Sequence, residues 1–315
     1  MKLVSICVPC FNEEENIEKA YETLVGVMST VSSVDYEIIF ADNDSLDGSQ
    51  DILRKLASQD PKVKVIFNSR NYGALRSGMN CLMRAQGDAV ISYPCDMQEP
   101  AAMIPTFIEK WLAGNPVVWG QKNESEEKGS ISYMRRLYYK LMIKLSDVPF
   151  YSQVDGFGIV DKKVLDEVER NYVPGRGIKT MVTSLGFPVC LVPYKQNNRV
   201  NGKSSYSFLG YCKTALDTLV EVSTKPLFLV GVAGIVCSLV SLILLIAVII
   251  WQLIDGFSSF SVLVILQALC LLVVSVSSGF VGIVAAYISH IFTRMTPQPL
   301  VMEKEVINMD SKDHS

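Results

Sequence analysis

The sequence predicts an α/β protein with a mostly parallel β-sheet, followed by two transmembrane α-helices. Short apolar segments alternate with helical segments over residues 3–120. Two stretches without any charged residue follow, at 226–254 and 256–293. Hydrophobic residues make up 49% of the 315-residue chain and charged residues only 19%, with a mean hydropathy of +0.27. This composition excludes a disordered chain, and the net charge of −3 argues against a nucleic-acid partner.

The predicted elements alternate in type along the first part of the chain. Strands are predicted at 3–8, 36–41, 62–67, 89–93 and 116–120, and helices at 48–58, 74–85 and 100–112. Asn12 followed by Glu15 resembles a capping box, which predicts a further helix of about 20 residues after the first strand. Strands that alternate with helices are joined by crossovers and lie parallel, with both sheet faces covered.

The predicted domain organisation has four parts. A cytoplasmic α/β domain covers 1–205, an amphipathic interfacial helix 206–225, a two-helix transmembrane region 226–293 and a disordered cytoplasmic tail 294–315. Each charge-free stretch is long enough to cross about 30 Å of hydrocarbon. The flanks carry Lys and Arg, whereas the loop at 252–259 carries none, so both flanks are expected in the cytoplasm at the inner (plasma) membrane.

Alternatives remain for these C-terminal segments. The two apolar stretches could form a buried hairpin in a soluble core, and the helix at 206–225 could belong to the soluble domain. Small residues at Gly231 and Gly234, or at Ser278 and Gly282, would allow close helix packing, so a homo-oligomer stays open.

Polar residues cluster where four predicted strands end. They are Phe11-Asn12-Glu13 after the first strand, Asp42-Asn43-Asp44-Ser45 after the second, Asn68-Ser69-Arg70-Asn71 after the third and Asp96-Met97-Gln98 after the fourth. Parallel α/β sheets bind ligands beyond the carboxyl ends of their strands. Ordinary turn polarity would explain any one cluster, but four at one edge indicate a ligand site.

Several of these segments resemble motifs of family 2 glycosyltransferases, which have the GT-A fold. The segment 8–14 (VPCFNEE) resembles the opening motif and 40–49 (FADNDSLDGS) the second; 68–73 and 87–89 also fit. The segment 96–100 (DMQEP) resembles the metal-site segment of the polyprenyl-phosphate branch, which includes dolichol-phosphate-mannose synthases and bactoprenol glucosyltransferases. The segments 156–161 and 199–204 resemble later motifs of that branch.

The resemblance implies an inverting enzyme that transfers a hexose from a nucleotide sugar, with UDP-glucose preferred, to a polyprenyl phosphate at the cytoplasmic membrane face. The product would serve cell-envelope glycosylation. The expected donor-binding residues are Pro9, Phe11, Asn12, Glu13, Asp42, Asn43, Asn71, Gly73 and Asp96.

The leaving diphosphate explains why this chemistry needs cations. Mg²⁺ or Mn²⁺ takes oxygen ligands, which Asp96 and the amide oxygen of Gln98 can provide, and it neutralises the growing charge. The basic residues expected to bind the diphosphate or the acceptor phosphate are Lys122, Arg135, Arg199 and Lys203. By analogy with the branch, Asp155 is expected to act with Asp96 in catalysis, as a base or by positioning the acceptor. Solvation at the surface is the alternative for the four basic residues, and for Asp155 the alternative is an ordinary loop carboxylate before a strand.

One departure from the family affects the metal site. The family usually has Asp-x-Asp, but this chain reads Pro94-Cys95-Asp96, so the first carboxylate is missing. A membrane-bound binding or scaffold protein without turnover is therefore an alternative. Transfer to another lipid or to a polymer is a second alternative, although the Gln-x-x-Arg-Trp motif of polymer synthases is missing from the sequence.

Overall fold

The computed structural model describes residues 1–123, 151–173, 175–196, 260–295 and 301–309, with scattered residues between 143 and 254. The chain divides into two compact units. One comprises 1–139, 149–205 and 297–315, and the other 140–148 and 206–296.

The first unit is built on an eight-stranded sheet. Its strands are β1 (Lys2–Cys10), β2 (Val34–Asp42), β3 (Val63–Asn68), β4 (Ala89–Ser92), β5 (Val117–Lys122), β6 (Gly158–Asp161), β7 (Val189–Tyr194) and β8 (Glu303–Ile307). Among the described residues, its helices are α1 (Ile17–Met28), α2 (Ser49–Gln59), α3 (Ala74–Arg84), α4 (Ile104–Leu112), α5 (Lys162–Arg170) and α6 (Ile178–Ser184), and a 3₁₀ turn (Ala101–Met103) precedes α4. The predicted α/β class with a mostly parallel sheet is confirmed.

The strand order is β7-β5-β6-β4-β1-β2-β3-β8. The four central strands are parallel, β6 runs antiparallel to both of its neighbours, and β8 is antiparallel to β3. The chain builds outward from β1 to β3 and then returns to place β4 on the other side of β1. This reversal opens a crevice between the loops that follow β1 and β4, where α/β sheets bind ligands.

Helices cover both faces of the sheet, and successive side chains of a strand pack alternately against the two groups of helices. Ile6 and Val8 of β1 pack with α1, α2 and α4, whereas Cys7 packs with α3, α5 and α6. Successive side chains of a strand point to opposite faces, so a two-sided core requires apolar residues at nearly every position. This is why the central strands read as continuous apolar runs.

Two expectations about local structure are wrong. Asn12 does not cap a helix: its φ is 54°, its side chain accepts from the backbone of another loop, and α1 begins only at Ile17. The tail at 294–315 was expected to be disordered, but Glu303–Ile307 forms the edge strand β8. Pairing with β3 and a buried ion pair between Glu303 and Arg84 hold this segment in place.

The second unit contains α7 (Phe260–Met295). Within this unit, a Cβ on Gly234 would come 3.6 Å from the ring of Phe280. Among the residues that the structure describes, no helix is both long and apolar enough to cross a bilayer, so the two transmembrane helices stay a prediction. The predicted interfacial helix at 206–225 lies outside the described residues, Lys225 excepted.

Candidate active site

The loops after β1 and β2 are joined by hydrogen bonds. Asn12 donates its backbone N–H to Ser45 Oγ over 2.9 Å, and its Oδ1 accepts the Leu46 N–H, also at 2.9 Å. Glu13 donates its backbone N–H to Ser49 Oγ over 2.9 Å. The left-handed backbone of Asn12 makes these contacts possible, because it turns the chain back towards β2.

Asp42, at the end of β2, has an unsatisfied buried oxygen. The residue is 0% exposed, and its Oδ2 accepts the Ser45 N–H at 3.1 Å. Within the described part of the chain, its Oδ1 has no hydrogen-bond partner. Burial raises the pKa of this carboxyl above its usual range, against hydrogen bonds from Ser45 that lower it. A buried acceptor without a donor is costly, and a ligand N–H would satisfy it.

An amide network continues from Asp42 to the loop after β3. Asn68 donates through Nδ2 to Asn43 Oδ1 and to Ser77 Oγ, both at 3.0 Å. Asn43 in turn donates to Asn71 Oδ1 over 2.8 Å, and its Oδ1 accepts the Tyr72 N–H at 3.0 Å. The network therefore fixes Asn43 and Asn71, two of the predicted donor-binding residues. Gly73, another of them, ends the loop with a φ of 83°, which favours glycine.

The loop after β4 presents Asp96 beside a tight turn. The Met97 N–H donates to the Pro94 carbonyl over 3.3 Å, and Met97 has a φ of 53°. Asp96 Oδ2 accepts from Gln98 Nε2 at 2.6 Å, and Gln98 Oε1 accepts from Gln196 Nε2 at 3.2 Å. The Gln98 amide therefore turns its nitrogen, not the expected oxygen, towards Asp96.

The donor set at Asp96 fits a divalent cation of the kind that binds with a diphosphate. Mg²⁺ commonly takes only one or two protein carboxylates and completes its shell with phosphate oxygens and water. Asp96 is partly exposed and offers one such carboxylate. No group of three metal-ligating side chains is found among the described residues, so such a cation would depend on the ligand's oxygens. Gln98 would join the shell only after its amide turns over.

Glu13 connects the β1 and β4 loops electrostatically. Burial raises the pKa of the Glu13 carboxyl, and the negative charges of Asp96 and Asp47 raise it further. The Asn16 amide, which donates to Oε2 over 2.5 Å, acts in the opposite direction and lowers that pKa. Glu13 and Asp96 follow the neighbouring strands β1 and β4, at the reversal in strand order. Pro9 occupies the end of β1, paired in register with Ala41, and Phe11 is 41% exposed beside it.

A second polar cluster surrounds Lys122 at the end of β5. Lys122 Nζ lies 2.6 Å from Asp155 Oδ2 and 3.1 Å from Glu99 Oε1. Glu99 is also bonded by the Tyr194 hydroxyl and by Gln196 Nε2, the latter at 3.3 Å. Burial alone would lower the pKa of Lys122, but the two carboxylates outweigh it and raise that pKa. Burial and the bond to Glu99 raise the pKa of Tyr194, which therefore stays protonated.

Sequence analysis missed four residues of this cluster: Glu99, Lys179, Tyr194 and Gln196. Lys179 is mostly buried, donates to the Val154 carbonyl over 2.9 Å, and has its pKa lowered by burial against the attraction of Asp155. Glu99 follows Gln98 directly in the DMQEP segment, so its place in that motif could have identified it as a candidate site residue. Arg135, Arg199 and Lys203, the other predicted phosphate-binding residues, lie outside the described residues.

A mostly parallel sheet with acidic and amide side chains at its carboxyl edge is typical of α/β proteins that bind a ligand at that edge. Residues 5–169 match the family described as Glycosyl transferase family 2. The chain belongs to this family and is a glycosyltransferase.

Curated relatives of the chain are also named glycosyltransferases, and they are similar to it over most of both chains. The chain is 30% identical to the glycosyltransferase YkcC of Bacillus subtilis over 98% of this chain and 95% of the relative. It is 30% identical to the prophage bactoprenol glucosyl transferase homolog of Escherichia coli, covering 76% and 78% of the two chains. The bactoprenol glucosyl transferase of Shigella phage SfV is 31% identical, over 71% and 73%.

Proposed function

We propose that this protein transfers a hexose from a nucleotide sugar to a polyprenyl phosphate, with inversion at the anomeric carbon. The observation that carries the proposal is the buried, unsatisfied Asp42 oxygen at the carboxyl edge that also holds Asp96. One group calls for a ligand N–H and the other suits a cation-bound diphosphate. A nucleotide sugar contains both features. Relatives named bactoprenol glucosyl transferases support the polyprenyl-phosphate acceptor and glucose as the sugar.

The donor would lie across the crevice between β1 and β4. Asp42 would accept a hydrogen bond from the nucleobase, and the amides of Asn43 and Asn71 would contact the nucleoside. Asp96 would hold Mg²⁺ or Mn²⁺, with Gln98 as a second ligand. When bound, that cation neutralises the diphosphate as its charge increases.

The acceptor would react beside Asp155. A phosphate monoester is largely dianionic at neutral pH, because its second pKa is about 6, so its oxygen needs little help from a base. That oxygen attacks the anomeric carbon as the bond to the diphosphate oxygen breaks, and the diphosphate keeps the electron pair. Asp155, held by Lys122, would position the acceptor and keep its phosphate on the reacting side. Lys122 would add positive charge near the two phosphates.

We further propose that the reaction takes place at the cytoplasmic face of the plasma membrane, with residues 226–293 as two membrane spans. The charge-free stretches and the lipid acceptor support this arrangement. A tethered site would meet the phosphate at headgroup depth.

Transfer to undecaprenyl phosphate tests the proposal. The full-length protein in detergent is incubated with undecaprenyl phosphate, Mn²⁺ or Mg²⁺, and radiolabelled UDP-glucose, UDP-galactose or GDP-mannose in turn. We expect a labelled, organic-soluble lipid with one donor and its loss in Asp96→Ala and in excess EDTA. Labelled lipid from none of the donors would overturn the proposal, and donor binding without turnover would favour a binding protein altered at Pro94. Label in a diacylglycerol lipid or polymer would favour another acceptor.

A further inference from the structure

The segment 301–309 returns to the catalytic sheet after the long C-terminal helical region. Its strand β8 pairs antiparallel with β3, with Val306 opposite Ile66 and Glu303 opposite Asn68. Asn308 Nδ2 donates to the carbonyls of Ala57 and Val63, both at 2.8 Å. The segment therefore lies along the full length of the strand that ends in the amide network.

A buried ion pair fixes the start of this strand. Glu303 Oε1 lies 3.1 Å from Arg84 Nε and accepts from Asn80 Nδ2 at 2.9 Å. The Glu303 and Arg84 side chains are only 8% and 7% exposed. Breaking a buried ion pair destabilises a fold strongly, so this contact helps to hold the segment against α3. Arg84 and Asn80 belong to α3, the helix that follows the Asn71 loop.

The same segment contacts the loop 69–73 directly. The Ser69 N–H donates to the Met302 carbonyl over 2.9 Å. Ser69 Oγ and the Tyr72 hydroxyl are 3.0 Å apart and share a hydrogen bond. Tyr72 then donates its N–H to Asn43, which in turn holds Asn71. A continuous set of hydrogen bonds thus runs from Met302 to both proposed donor-binding amides.

We propose that the segment 301–309 positions the nucleotide-binding loop, so that affinity for the donor nucleotide depends on Glu303. This inference rests on the proposed function, because it assigns a donor to this edge. Glu303 is a positioning residue and does not touch the ligand itself. It holds α3 and β8 together on either side of the loop, and Met302 fixes the loop's backbone. Without that support, Asn43 and Asn71 would lose their fixed orientation and would have to be ordered when the nucleotide binds.

Glu305 provides a matched control on the same strand. It pairs with Arg54 at 2.6 Å, but both side chains are exposed, at 42% and 37%. Exposed pairs contribute little, so Glu305→Ala removes one ion pair of β8 without moving the segment. Glu303→Ala removes the buried pair from the same strand.

The test uses the full-length protein with UDP and GDP as probes. Calorimetry measures nucleotide affinity in Mn²⁺, well below the melting temperature of each variant, and hydrogen exchange measures protection of the Ser69 amide. We expect Glu303→Ala to weaken affinity at least about tenfold and to accelerate Ser69 exchange, with Glu305→Ala within about twofold of wild type. Unchanged affinity in a folded Glu303→Ala variant would overturn the inference.

A second variant keeps the inference testable if Glu303→Ala does not fold. Tyr72→Phe keeps the ring and removes the hydroxyl that is hydrogen-bonded to Ser69 Oγ, and we expect it to fold and to weaken nucleotide binding about threefold. Wild-type affinity in that variant would contradict the inference. If the wild-type protein binds neither nucleotide, the proposed function fails. Ser69 exchange then decides on positioning alone, and equal exchange in Glu303→Ala and Glu305→Ala would refute it.

Discussion

Replacement of Lys122 by Met tests the polar cluster at the end of β5. Lys122 is the cation between Glu99 and Asp155, and Met retains most of its apolar length. The two carboxylates differ in their surroundings: the Glu99 side chain is 7% exposed and that of Asp155 is 63% exposed. Asp155 regains water when Lys122 is lost, so the loss of stability arises mainly at Glu99.

The magnitude follows from what Glu99 retains. A buried charge that loses its partner destabilises a fold by about 3–5 kcal/mol. Glu99 keeps two donors, the Tyr194 hydroxyl and the Gln196 amide, which reduces the expected loss to about 2–3 kcal/mol. For a domain of roughly 200 residues, this lowers the melting temperature by about 5–10 °C.

Thermal unfolding of the full-length protein, followed by intrinsic fluorescence, measures this effect. Lys162→Met is the control, because Lys162 forms a part-exposed pair with Asp166 at 2.8 Å and its loss is expected to cost less than about 1 kcal/mol. The double variant Lys122→Met/Glu99→Gln removes the stranded charge and should regain most of the lost stability without regaining transfer activity. Equal melting temperatures for Lys122→Met and Lys162→Met would refute the reasoning, as would a double variant no more stable than Lys122→Met.

Two further predictions separate backbone strain from side-chain chemistry. Gly158→Ala is expected to destabilise the fold by at least about 3 kcal/mol in chemical denaturation, because its Cβ would lie 2.1 Å from a backbone oxygen. Gly114→Ala is the control: its Cβ meets no atom within 4 Å, so it should cost only about 1 kcal/mol, from its positive φ alone. Similar losses in both variants would contradict the packing at β6. Asp155→Asn should lower the transfer rate with little change in melting temperature. In Asp161→Asn, one of the two oxygens that accept the Lys163 N–H and the Trp111 indole N–H becomes a donor, so this variant should have a lower melting temperature with little change in rate. Equal effects on rate would remove Asp155 from the site.

The central strands could be predicted from the sequence because each is apolar on both faces. The predicted strand at 89–93 overlaps β4 (Ala89–Ser92), and the predicted strand at 116–120 overlaps β5 (Val117–Lys122). β8 could not be predicted, because three of the five residues in its sequence, EKEVI, are charged. Its stability comes from a partner strand and from Arg84, which are distant in the sequence. Tertiary contacts override local propensity at such an edge.

The site residues also divide into those that the sequence predicts and those that depend on distant contacts. Asp42, Asn43, Asn71 and Asp96 follow strand ends, so a parallel topology alone brings them to one edge. The left-handed turn at Asn12 could not be predicted, because an Asn followed three residues later by a Glu is also typical of the start of a helix. Similarly, the roles of Tyr194 and Gln196 depend on β7 lying next to β5, a pairing that no local pattern indicates.

Asp42 also links pH to stability. Burial raises its folded-state pKa, so the ionised carboxylate destabilises the fold at any pH above that value, and the penalty disappears below the unfolded pKa of about 3.9. Asp42→Asn removes the charge. We expect this variant to melt at or above the wild-type temperature at pH 7, with the difference shrinking towards pH 4, in melting curves recorded across that range. The direction assigned to the Asp42 pKa shift would be contradicted if the melting temperature of Asp42→Asn, minus that of wild type, were lower at pH 7 than at pH 4.

The most direct measurement of the central claim, that this sheet edge binds a nucleotide sugar, is the affinity of wild type and Asp42→Asn for UDP and GDP, by calorimetry with Mn²⁺. We predict that wild type binds one of the two and that Asp42→Asn loses at least about tenfold in affinity although it remains folded. Equal affinity in the two proteins would contradict the account.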